Sequence, residues 1–166
     1  MNLPTLKYRL FFDYVMEQQG CAAGIDFGTV RIGIALSDPD RIIASPYETY
    51  TRQSPEHDAE YFRQFVEKEH VVRFVLGIPL CLNGGLSEKA KEVLQFGQWL
   101  EKTTGIGIDY TDERYTSVEA EHFLRKAKLT DKKRKARRDK IAAQIILSSY
   151  LESGCQGITD FSGIED

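Results

Sequence analysis

AAGIDFGTVRIGIALSDPD, residues 22–40, is the stretch that sets the fold. Residues 22–27 form a short apolar strand, and Gly28-Thr29 turns the chain. Ile32, Ile34 and Leu36 then alternate with smaller residues, which is the period of a second strand over 31–37. Asp38-Pro39-Asp40 is another turn signal, and a third strand is expected within 41–51. Strands joined by so few residues must run antiparallel, so the sheet begins as a meander.

Beyond the meander the pattern changes. Ser54-Pro55-Glu56 predicts a helix to about 68, with Ser54 as the cap and Pro55 at the first helical position. RFVLGI at 73–78 is continuously apolar, as a strand covered on both faces should be. A helix is expected over 87–102, ended by Gly105, and a fifth strand over 106–111. Thr116 and Glu119 fit a capping box for a helix to about 128, and a last helix is expected over 137–151. The order βββ-α-β-α-β-α-α predicts the α/β class: one five-stranded mixed sheet with helices on both faces. Residues 1–20 read as an extension (a helix or an arm), 21–153 as the domain, and 154–166 as a flexible tail.

A chain of 166 residues fits one domain. With 42% hydrophobic and 28% charged residues it falls among ordinary soluble proteins. No apolar run is long enough to span a membrane, and the N-terminus lacks the pattern of a signal peptide. Cys21, Cys81 and Cys155 are odd in number and far apart, which speaks against a disulfide framework or a zinc site. A cytoplasmic setting without membrane attachment is expected. Residues 125–140 carry a local charge of +8, which leaves the rest of the chain at −11 against the overall −3. Such a block is either a contact for a phosphate-rich partner or a solvated, partly disordered charge run.

Four acids stand where they would reach the edge of the sheet. Asp26 lies between Ile25 and Phe27, and a charge in an apolar strand is costly unless it is paired or binds a metal. The plainer reading is an acid capping the Gly28-Thr29 turn. Asp112 and Glu113 follow the fifth strand and fall on opposite faces, so one can serve a site while the other pairs with Arg114. Glu113 is favoured for its longer arm, with Asp112 the alternative. Asp139 shares a helix face with Ala142, Ala143, Ile146 and Tyr150 and is expected in the first turn, either at a site or complementing the helix dipole. Asp26, Glu113 and Asp139 together suit phosphodiester hydrolysis, in which carboxylates from separate elements hold one Mg²⁺ (or Mn²⁺) ion, or two about 4 Å apart. Arg31, Arg114 and the basic run, with Lys132, Lys133, Arg134 and Lys135, are candidate contacts for a nucleic-acid backbone.

GIDFGTVRIGIALSD at 24–38, FVLGIPLCLNGG at 74–85, DERYTSVEAE at 112–121 and DKIAAQIILSSYLE at 139–152 occur in the order found in one family. The chain resembles the YqgF family of Holliday-junction-resolvase-like proteins over about residues 22–152. The resemblance implies an RNase H-like fold and a nuclease acting in 5′-end maturation of pre-16S ribosomal RNA. It also implies a metal site made of Asp26, one acid of the 112–113 pair, and Asp139. The competing expectations are a resolvase of branched DNA and a nucleic-acid-binding protein with a vestigial site. GIDFGT also resembles the phosphate loop of actin-like ATPases, but those need two domains and this chain has room for one. Structured RNA or branched DNA is the expected partner, to a monomer or homodimer.

Overall fold

The expected hairpin forms. In the computed structural model, which describes residues 19–81, 85–113 and 131–158, β1 (Cys21–Asp26) pairs antiparallel with β2 (Arg31–Ser37), bringing Asp26 opposite Gly33. β2 pairs antiparallel with β3 (Ala44–Thr51). Helix α1 (Pro55–Glu69) then carries the chain across, and β4 (Val71–Ile78) pairs parallel with β1. Helix α2 (Glu88–Thr104) leads to β5 (Ile108–Asp112), parallel to β4. The sheet order is β3-β2-β1-β4-β5, so the middle strand is the one that carries Asp26.

Local chemistry sets the ends of these elements. The Ser54 hydroxyl accepts from the His57 N–H, and Pro55 opens α1 where its missing N–H costs nothing. Gly105, at φ 75°, closes α2 in a left-handed conformation. The Thr104 hydroxyl then accepts from the Ile106 N–H at 3.2 Å, which delays β5 by two residues relative to expectation.

The two faces of the sheet are packed differently. On one face α1 and α2 bury an aromatic core with Phe62, Phe65, Phe74, Phe96 and Leu100. On the other, a single helix, α3 (Asp131–Glu152), lies over Ala22, Ala35 and Val75 through Ala143, Ile146, Leu147 and Tyr150. Small residues beneath α3 let it come very close. A Cβ on Gly33 would stand 2.0 Å from the Asp139 carbonyl oxygen, so no side chain fits there without lifting the helix.

Helix α3 is already formed at residue 131, six residues before the expected 137. Lysine, arginine and alanine are good helix formers, so from residue 131 the basic run is helix and not a loose charge run. Asp139 consequently sits more than two turns inside the helix, beyond the reach of the N-terminal dipole, and the dipole reading fails. The helix expected over 116–128 and the stretch 1–18 lie outside the described residues. After α3 the Ile158 N–H donates to the Tyr110 carbonyl at 2.8 Å, so the chain is packed on β5 at least that far. No helix among the described residues is long and apolar enough to cross a membrane.

Candidate active site

Asp26 ends β1 in the middle of the sheet, on the face covered by α3. The carboxyl ends of parallel strands in an open sheet are where ligands bind, and β1, β4 and β5 all end here. The neighbours across from Asp26 are glycines: Gly33 in register on β2, and Gly77 one residue past the Ile25–Leu76 pair on β4. Their missing side chains leave room above the strand for polar groups from elsewhere.

One of those groups is Glu113. A Cβ on Gly77 would stand 2.7 Å from Glu113 Oε2 and 2.5 Å from Ile146 Cδ1, so this carboxylate lies over Gly77 on the α3 side. Its backbone N–H donates to the Ile78 carbonyl at 3.2 Å, which extends the β4–β5 ladder by one residue. Asp112 is in register with Ile78, which belongs to the aromatic core, so strand alternation turns it to the opposite face. Glu113 and Asp26 therefore share a face. Asp139 arrives from above, its backbone seated on Gly33.

The electrostatics record this convergence. The Asp26 carboxyl is pushed up from its ordinary 3.8 to about 7. Burial is the largest cause and the nearby Glu113 the next; Asp139 adds to the rise, while Lys89 and Arg138 oppose it. Glu113 is also raised, by burial, with Lys89 holding it back in part. The Lys89 ammonium stands 3.7 Å from Glu113 Oε1, and Arg31 Nε donates to Asp139 Oδ2 at 2.9 Å.

Another buried acid shows the contrast. Asp58 on α1 is 1% exposed, yet its carboxyl is held below the ordinary range. Burial pushes it up, but donors from the Gln53 N–H, the Tyr50 hydroxyl and Arg52 Nε more than offset that. Asp58 is thus fully partnered and structural. Among the described residues Asp26 makes no such ion pair.

The donor chemistry fits a divalent cation. Asp26, Glu113 and Asp139 offer hard carboxylate oxygens, and the Asp26 carboxyl, raised by burial first and by the two neighbouring carboxylates next, is one whose ionised form Mg²⁺ would favour. As they stand, no three acids among the described residues form a ready-made cage. Arg31 engages Asp139, which the sequence pattern did not indicate. Lys89 was missed because its partner lies 24 positions along the chain, and nothing local to α2 points to it. Arg114 and the side chains of Lys132, Arg134 and Lys135 lie outside the described residues, and Lys133 is exposed on α3. The basic run is not remote from the site, since Arg138 at its end acts on Asp26.

Residues 20–153 match the RuvX family model, described as Holliday junction resolvase. A protein of Rhodopirellula baltica named "Putative pre-16S rRNA nuclease" is 46% identical over 134 residues, covering 81% of this chain and 78% of that one. One of the same name from Syntrophomonas wolfei is 40% identical over 134 residues, covering 81% and 95%. Among solved structures, Thermus thermophilus RuvC in complex with a Holliday junction substrate superposes with a TM-score of 0.53 at 13% identity, covering 83% of this chain and 98% of that one. The fowlpox virus resolvase in complex with Holliday junction DNA gives 0.51 at 12% identity, covering 82% and 99%. At these identities the two structures show a shared fold, the RuvC-type, RNase H-like architecture that the family resemblance implied and with which the strand order agrees. With most of its length matched by the family model and by relatives of this identity, the chain belongs to the RuvX family, the YqgF-type proteins that its motifs resemble.

Proposed function

We propose that the protein is a metal-dependent nuclease that hydrolyses phosphodiester bonds of pre-16S ribosomal RNA in its 5′-end maturation. The observation that carries this reading is the approach of Asp26, Glu113 and Asp139, from three elements far apart in sequence, at the carboxyl ends of the parallel strands and on one face of the sheet. The names of the relatives support the RNA substrate, and the family supports nuclease chemistry. Asp26, Glu113 and Asp139 would hold Mg²⁺ or Mn²⁺. When bound, such an ion supplies activation of the attacking water and neutralisation of charge at the leaving oxygen.

The protein's own groups do the rest. Asp26 is fixed by the central strand, so its carboxylate has little freedom to drift from the reacting phosphate. Arg31 at the rim holds the substrate backbone, and Arg114 and the basic run with Lys132, Lys133, Arg134 and Lys135 are the further contacts the sequence offers. Such contacts position the substrate without reading its sequence.

A second reading, a resolvase of branched DNA, has the description of the family model behind it. One assay separates the two. Purified protein with Mg²⁺ or Mn²⁺ is given labelled pre-16S RNA beside a four-way DNA junction. Cleavage of the RNA at its 5′ side, lost in Asp26→Asn, is the expected result. Faster cleavage of the junction would move the function to resolution. Binding without cleavage of either substrate would leave a nucleic-acid-binding protein with a vestigial site.

A further inference from the structure

Two of the three converging acids are each gripped by a cation, and the two grips differ. Lys89 makes one long contact to Glu113, at 3.7 Å, and is 57% exposed. Arg31 donates directly to Asp139 at 2.9 Å, with the two side chains 32% and 14% exposed. Arg31 is the first residue of β2, just after the exposed turn of the hairpin, so it reaches Asp139 from the open rim.

This pair is not needed to dock α3. The helix backbone already rests on Gly33, and Ala143, Ile146 and Leu147 are buried against the sheet. What the pair does is occupy a carboxylate. Among the described residues no three acids stand ready to hold one ion, and Asp139 is the one tied most closely to a competing charge.

We propose that Arg31 is a displaceable counter-ion. It holds Asp139 until a divalent cation takes that carboxylate, and then turns its guanidinium to a substrate phosphate at the rim. The idea rests on the nuclease reading above. Guanidinium is always charged, and its fork matches carboxylate and phosphate alike, so one partner can be exchanged for the other with little loss. A doubly charged ion competes well for the carboxylate at short range. In the absence of nucleic acid, the ion must displace Arg31 without giving it a new partner. With nucleic acid present, that partner is at hand. Metal and nucleic acid should therefore strengthen each other's binding, by the same factor in each direction.

The test uses the full chain. Calorimetric titration with Mn²⁺ is compared for wild type, Arg31→Gln and Asp139→Asn, without nucleic acid. Binding of a labelled RNA hairpin is then followed by anisotropy over a range of salt, with chelator or with Ca²⁺ as the probe ion. Arg31→Gln should bind Mn²⁺ roughly 3–10-fold more tightly than wild type, because a competitor worth about that factor is gone. Ca²⁺ should tighten RNA binding by wild type several-fold more than by Arg31→Gln, and should raise the log–log salt slope by up to about 0.9 in wild type only, since that part of the gain comes from the freed guanidinium. Equal or weaker Mn²⁺ binding by Arg31→Gln would overturn the proposal, and so would loss of its fold, since either makes Arg31 a structural support for Asp139. Failure of the underlying reading looks different: wild type itself would bind no Mn²⁺, or Asp139→Asn would bind it as well as wild type.

Discussion

Asp26→Asn should make the protein inactive and more stable at once. The Asp26 carboxyl stands near 7 in the folded chain against an ordinary 3.8. Between those values the folded state holds a proton that the unfolded chain has released, so stability falls as pH rises through this window and levels off above it. At about 1.4 kcal/mol per pKa unit, full ionisation costs the fold on the order of 4 kcal/mol. That is a large share of the usual 5–15 kcal/mol of a domain's stability. Asn keeps the shape and removes the charge. Denaturant unfolding of both proteins at about pH 4.5 and about pH 8, with chelator present, isolates the effect of residue 26 as a difference of differences. Wild type should lose on the order of 3 kcal/mol more than the variant between these conditions, which corresponds to about 2–4 °C in Tm per kcal/mol for a chain of this length. Mg²⁺ at about 100 times its dissociation constant should return about 2.7 kcal/mol to wild type and much less to the variant. Parallel pH dependence of the two proteins would refute the account of a buried carboxylate beside two others, and so would equal stabilisation of both by Mg²⁺.

Further outcomes follow from the same geometry. Glu113→Gln should abolish cleavage, while Asp112→Asn, on the opposite face, should leave turnover within a few-fold of wild type; steady-state rates of the two variants check this, and the reverse pattern would reassign the site. Asp139→Asn should abolish turnover and, by weakening the pair with Arg31, cost about 1 kcal/mol of stability; thermal unfolding beside activity separates the two effects, and normal turnover would remove Asp139 from the chemistry. Replacing Lys132, Lys133, Arg134 and Lys135 together by Ala should weaken RNA binding and lower the log–log salt slope by up to about 0.9 for each lost phosphate contact. An unchanged slope in anisotropy measurements would mean that the run touches no phosphate.

Periodicity and turn chemistry determined much of this protein by themselves. The alternation of Ile32, Ile34 and Leu36, the short turns around them, Ser54-Pro55 and Gly105 are local signals, and a backbone answers local signals with little help from the rest of the chain. They yielded the strand meander, the helix caps and the α/β class. The acids were legible as candidates because a charge inside or at the end of an apolar strand stands out against its immediate neighbours.

What only the tertiary structure decided is which charges meet. The face that Glu113 takes depends on the β4–β5 register and on the empty space over Gly77, neither of which is written near residue 113. The third-turn place of Asp139 depends on the basic run joining α3. Asp58 and Asp26 are both largely buried acids, yet one is satisfied by three donors and the other has the carboxylates of Glu113 and Asp139 near it. The pairings Arg31–Asp139 and Lys89–Glu113 span 108 and 24 positions. Electrostatic energy depends on distance through space, and sequence spacing fixes that distance only within a single helix or strand.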